Sequence, residues 1–187
     1  MSTRENLITA AKELLWERGY EAMSPRAVQE RSGAGQGSFY HHFAGKAELA
    51  TTALNEVADE MRETFNAALH SDKPSLERVR DYLKQPREAL RGCRLGRMAQ
   101  EEVLSQEGLR HPISSYFLYT QQEIAAALKQ AQNEGSLSES IDTTNIATML
   151  VAVVQGGYVL ARALQDPQQM DQAIDGALTL LDTIERR

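Results

Sequence analysis

Apolar residues recur at helical spacing in almost every segment of this 187-residue chain, and no stretch alternates convincingly with the period of two of a half-buried strand. The reading is all-α. Leu7, Ile8, Ala11, Leu14 and Leu15 follow i, i+1, i+4, i+7, i+8 and mark one apolar face of a first helix, about Thr3 to Arg18. Gly19 is expected to end it as a left-handed residue past the last turn. Ser24 is a good N-cap and Pro25 a good first helical residue, so a second helix starts there and ends near Ser32-Gly33. A third, very short helix is expected from about Gln36 to His42, and a long fourth from Lys46 to about His70. Leu49, Ala53, Val57, Met61 and Ala68 give the fourth an apolar seam, and at 1.5 Å per residue it would span ~37 Å.

Ser71 to Pro74 reads as a loop, after which a helix restarts toward Leu90 with a kink at Pro86. Arg91-Gly92-Cys93 is a break, Leu95 to Ser105 is a further helical candidate, and Glu107-Gly108 and His111-Pro112 punctuate again. A long helix is expected from Ile113 to Asn133. Asp142 or Thr143 caps the next, which runs to Leu164, and Asp166 caps a last one from Pro167 to about Glu185. The most apolar run, Met149 to Leu164, is shorter than the roughly 20 residues of a bilayer span. It also holds Gln155, Gly156, Gly157 and Arg162, so it is expected to be a buried helix, with no membrane partner.

Composition narrows the picture. Hydrophobic residues make up 42% of the chain, enough for a packed core. Cys93 is the only cysteine, which excludes a disulfide scaffold, and the N-terminus lacks the apolar core of a signal peptide. A cytoplasmic protein is expected. The formal net charge of -6 taken alone argues against nucleic acid. Its distribution does not. Residues 1–46 carry six basic side chains (Arg4, Lys12, Arg18, Arg26, Arg31, Lys46) against five acidic ones (Glu5, Glu13, Glu17, Glu21, Glu30), a net of +1, which leaves -7 for the rest.

The segment from Gly19 to Leu49 has the outline of a helix-turn-helix. Gln36 and Ser38 are short polar groups suited to base edges, Gly37 allows close approach, and Tyr40, His41 and His42 carry donors for phosphate or base. Phe39 and Phe43 would hold the third helix on the core. Ser24 would donate to a phosphate, and Lys46 adds charge at a helix N-terminus. A generic corner of two helices with a polar surface is the plain alternative. His41 and His42 are adjacent and point about 100° apart, so no metal site is expected of them.

The same residues carry a resemblance. Gly19-Tyr20, Ser24, Ser32-Gly33-Ala34-Gly35, Gly37, Tyr40-His41-His42-Phe43, Lys46 and Leu49 resemble the DNA-binding domain of the TetR family of bacterial transcriptional regulators. The match covers about the first 50 residues. It departs at Gly35, where a Ser or Thr usually caps the recognition helix. The resemblance implies an N-terminal three-helix DNA-binding domain, residues 1–46, joined by the long helix to a helical ligand-binding and dimerisation domain, residues 47–187. By it, Tyr40, His42 and Lys46 would position the domain on phosphates, and Gln36, Gly37, Ser38 and His41 would face the bases.

No catalytic constellation or cofactor motif is evident in the C-terminal two-thirds, and an enzyme is not expected. The resemblance implies a small-molecule inducer and a homodimer through the last two helices. Independently, Ile146 to Leu164 is apolar around most of its circumference, and Gly156-Gly157 would let another helix approach. Candidate inducer contacts are Tyr82, Met98, Tyr116, Phe117, Tyr119, Gln155 and Tyr158, with Cys93 beside them. Gly92 to Glu101 resembles a Gly-Cys segment of one subgroup of TetR-like repressors, some of which respond to electrophiles or oxidants through that cysteine. Two nearby arginines, Arg94 and Arg97, would favour the thiolate there, and the plain alternative is a buried, inert Cys93. The same arginines would bind an acidic ligand or, more simply, form surface salt bridges. The leading expectation is thus a homodimeric repressor released from a palindromic operator by a small molecule. Beside it stand a redox or electrophile sensor acting through Cys93, and a helical carrier or enzyme without DNA binding.

Overall fold

The computed structural model describes residues 2–186. Eight α-helices follow in order: α1 (Thr3–Ala22), α2 (Pro25–Ser32), α3 (Gln36–His42), α4 (Lys46–Leu69), α5 (Ser75–Leu83), α6 (Glu107–Asn133), α7 (Thr143–Leu164) and α8 (Gln168–Ile184). Two short 3-10 helices, Gly96–Gln100 and Glu102–Ser105, lie between α5 and α6. The protein is all-α. The chain forms two compact units, Met1–Glu60 with Cys93–Ser115, and Met61–Gly92 with Tyr116–Arg187. Both α4 and α6 therefore contribute to each unit.

In the first unit, α1 packs on α2 and α3. Leu7, Ile8, Ala11, Leu14 and Leu15 are buried, as the periodicity requires, with Val28, Phe39, Phe43 and Leu49. Ser2 and Glu5 close a capping box at the start of α1. Ser24 caps α2 by accepting from the Ala27 N–H at 3.1 Å, and Gly33 ends it in the left-handed region at φ 72°. Gly35 precedes α3 without a side-chain cap. Gly19 differs from expectation. Its φ of 82° and ψ of 177° lie outside the left-handed helical region, in one that is essentially glycine's alone. It breaks α1, and helical residues resume beyond it to Ala22. Lys12 on α1 pairs with Glu56 at 3.2 Å and with Glu60, both on α4, and Arg94 reaches Glu60 at 2.8 Å.

In the second unit, α7 packs along α8, and α5 meets α8. The buried Arg80 of α5 pairs with Glu77, Asp182 (2.7 Å) and Glu185 (2.9 Å), which ties α5 to the C-terminal end of α8. Asp142 caps α7 through the Thr144 and Asn145 N–H groups. A Cβ on Gly157 would stand 2.7 Å from the Met170 sulfur, so this glycine admits α8 of the same chain, whereas Gly156 faces open space.

Four further expectations are corrected. The helix expected to reach Leu90 ends at Leu83. There the Arg87 guanidinium donates to the carbonyls of Tyr82, Leu83 and Gln85, and Pro86 bars continuation. Leu95 to Ser105 forms 3-10 turns. Pro112 does not interrupt: α6 starts at Glu107, and the proline in its second turn removes only the one ladder bond to the Gly108 carbonyl. Finally, α7 is not buried throughout. It is long and apolar enough by length and composition to cross a membrane, yet its sides differ. Ala147, Leu150, Val151, Val154 and Ala161 are buried, while Val159, Leu160 and Leu164 are exposed.

Candidate nucleic-acid interface

A helix that reads DNA must be held from one side and bare on the other. The third helix meets this through its 3.6-residue period, which sends neighbouring side chains in different directions. Phe39 and Phe43, four residues apart, are buried, with ring centroids 6.4 Å apart. Gln36, Gly37, Tyr40 and His41 are exposed, Tyr40 to 53%, and Ser38 and His42 are half-exposed. The Tyr40 ring stands edge-on to Phe39, with centroids 5.0 Å apart. A Cβ added to Gly35 or Gly37 would meet nothing within 4 Å, so internal packing does not require either glycine. His41 and His42 contact each other edge-on. Among the described residues no group of three or more His, Cys, Asp and Glu could hold a metal ion.

Ser24 is exposed, and its hydroxyl oxygen accepts the cap bond of α2. Lys46 opens α4 half-buried, its Nζ 4.1 Å from the centroid of the Tyr20 ring and 3.3 Å from the Glu21 carbonyl. Burial pushes its pKa down, against the opposing charges of Glu101 and Glu21. Its ammonium thus rests on the end of α1. Three residues in this region have roles that the sequence pattern does not assign. Arg4 lies over the Phe43 ring at 5.5 Å, Tyr20 supports Lys46, and Glu101 accepts the N–H groups of Tyr20 (3.2 Å) and Glu21 (3.0 Å). The Gly-Tyr pair was the only available hint.

The candidate ligand residues divide between the units. Cys93 and Met98 belong to the first, both buried, and the Cys93 sulfur accepts the Gly96 N–H at 3.2 Å. Arg94 lies over the Trp16 ring at 5.5 Å, besides its pairing with Glu60. Tyr82, Tyr116, Phe117, Tyr119, Gln155 and Tyr158 belong to the second. There Phe65 of α4 joins Tyr82 and Tyr119 edge-on, at 5.0 and 6.0 Å. The Tyr119 hydroxyl donates to Asn66 at 2.8 Å, and Arg62 lies over its ring at 5.9 Å. Tyr116 is buried and stands edge-on to Phe117, while Gln155 and Tyr158 are half-buried. Phe65 and Asn66 are neighbours the sequence did not disclose. A separate cleft of about 390 Å³, lined by Leu83, Arg87, Pro167, Met170, Ile174 and Leu178 among others, shares none of the candidate residues.

Comparison with known proteins points one way. Residues 7–53 match the family described as "Bacterial regulatory proteins, tetR family", and residues 73–177 match "Tetracyclin repressor-like, C-terminal domain". The chain is 27% identical over 166 residues to the HTH-type transcriptional regulator LmrA of Bacillus subtilis, covering 85% of this chain and 86% of that protein. It is 25% identical over 190 residues to the HTH-type transcriptional regulator UidR of Escherichia coli, covering 95% and 93%. Its fold matches the crystal structure of a TetR transcriptional regulator from Chloroflexus aurantiacus with a TM-score of 0.86 and 22% identity, covering 98% and 96%.

Proposed function

This chain belongs to the TetR family and is a DNA-binding transcriptional regulator, and on that premise we propose that it is a homodimeric repressor which a small molecule releases from a palindromic operator. The observation that carries the reading is the division of α3. Phe39 and Phe43 anchor it, and a polar, glycine-opened face is left bare. Gln36, Gly37, Ser38 and His41 face the bases in this reading. Ser24, Tyr40, His42 and Lys46 set the phosphate register, with Lys46 held against Tyr20 at the start of α4. Two such helices would enter successive major grooves, about 34–36 Å apart.

The exposed Val159, Leu160 and Leu164 of α7, with Leu180 of α8, support the last two helices as the dimer surface. The inducer site is proposed among Tyr82, Tyr116, Phe117, Tyr119, Gln155 and Tyr158, a lining suited to an aromatic, weakly polar molecule. Such a molecule would act on the DNA-binding helices through α4, which belongs to both units. The site of action is the cytoplasm, where bacterial DNA lies, and no catalytic step is assigned.

Fluorescence anisotropy on a duplex from the protein's own promoter region tests the reading. Binding should weaken steeply with salt, and Lys46→Ala should reduce the slope of log K against log salt by about 0.9 per protomer. Absence of binding to every such fragment would sink it in favour of a carrier.

A further inference from the structure

Glu101 is remote in sequence from the helix-turn-helix, yet it closes a gap that the fold opens at α1. Gly19, at φ 82° and ψ 177°, interrupts the helix, and a break of this kind leaves backbone N–H groups in need of new acceptors. The two that follow, on Tyr20 and Glu21, donate to the two carboxylate oxygens of Glu101 at 3.2 and 3.0 Å. This is an N-cap supplied from 80 residues away, and its bonds are charge-assisted. The fit is tight. A Cβ on Gly19 would stand 2.1 Å from the Glu101 Oε1 atom, so the carboxylate occupies the space the missing side chain leaves.

Glu101 is itself held. It is the extended residue between the two 3-10 turns, its N–H donates to the Met98 carbonyl at 3.0 Å, and the flanking Met98 and Val103 are buried. Upstream, Arg94 is fastened to Glu60 of α4 and lies over Trp16 of α1. The groups Glu101 orders are those on which Lys46 rests, the Tyr20 ring and the Glu21 carbonyl. Its negative charge also favours the charged form of Lys46 against the burial that opposes it.

We propose that Glu101 is a positioning residue for operator binding: by capping the break at Gly19 it sets the seat of Lys46, and with it the approach of the α4 N-terminus to DNA phosphates. The proposal rests on the DNA-binding role of residues 24–46. Displacing the 3-10 segment would withdraw the carboxylate, unseat Lys46 and loosen the end of α1 together.

The test is a double-mutant cycle on the full-length protein with the promoter duplex, paired with amide hydrogen exchange without DNA. Glu101→Gln is isosteric, and its single, neutral amide oxygen can accept from only one of the two N–H groups. Glu101→Ala removes both acceptors. Loss of a charge-assisted acceptor should speed exchange at Tyr20 and Glu21 about tenfold or more in Glu101→Ala. Operator affinity should fall roughly tenfold in Glu101→Ala and about threefold in Glu101→Gln. In a Lys46→Ala background the loss should shrink to under about twofold, because the two residues act as one unit. Affinity within about twofold of wild type in Glu101→Ala, or full additivity with Lys46→Ala, would overturn the proposal alone. Failure of the wild-type protein itself to bind would overturn it together with the reading on which it rests.

Discussion

The two compact units are both helical and both well packed, yet they expose different things. The first buries Leu7, Leu14, Phe39 and Phe43 and leaves a small face on α3 that carries Gln36, Tyr40 and His41, where Gly35 and Gly37 meet no neighbour. The second leaves Leu118, Val159, Leu160, Leu164 and Leu180 on its surface. A surface meant for DNA must be polar and shaped to a groove, whereas one meant for a second copy must be apolar. The contrast teaches that function here lies in what each unit declines to bury.

The largest effect is expected at Phe39, which is fully buried. Phe39→Ala should cost roughly 3–5 kcal/mol by chemical denaturation and abolish operator binding. An α3 that stays folded and functional without it would break the comparison. Next, Leu160→Glu with Leu164→Glu places charge on the exposed face of α7 without touching the core. Sedimentation should show monomers, and operator affinity should drop by about a hundredfold or more as avidity is lost. A dimer that survives would move the interface elsewhere.

A pH effect should belong to the first unit. Burial pushes the Glu60 carboxyl up, but hydrogen bonds from Lys12 and Arg94 outweigh it and hold the pKa below the ordinary value. A lowered folded-state pKa contributes stability that is complete above the ordinary carboxylate pKa of about 4.3 and is lost as the pH falls through the lowered one. Glu60→Gln should flatten that part of the stability–pH curve, followed by thermal unfolding between pH 6 and pH 3 (about the range in which carboxylates titrate). An unchanged curve would remove the network from the account. The smallest and sharpest effect is expected at Gly37. Gly37→Ala has room, so stability should hold or rise by up to ~1 kcal/mol, while operator affinity falls because the new methyl group faces the groove. Equal affinity would mean that the glycine does not approach DNA.

The legible features were those made by near neighbours in sequence. Ser24 over Ala27, Gly33 after α2, Asp142 before α7 and the buried Phe39–Phe43 pair each involve residues within four positions. The illegible ones were made across the chain. Glu101 meets Tyr20 from 81 residues away, and Arg80 meets Asp182 from 102. No local pattern marks such partners, because only the packed fold brings them together. The end of α5 is hidden from the sequence for a related reason. Pro86 announced a break, but Arg87 folding back onto three carbonyls, which favours a stop at Leu83, carries no spacing signature. The apolar character of α7 was plain from sequence, but which side of it faces α8 was not. Gly157 reveals that through its closeness to Met170.

In the proposed complex a dimer reads DNA with two copies of α3. A hydroxyl-radical footprint of the wild-type protein on its own promoter fragment tests it most directly. Two protected half-sites related by a dyad are expected, their centres one helical turn of about 34–36 Å apart. A single protected half-site, or uniform weak protection along the fragment, would contradict it.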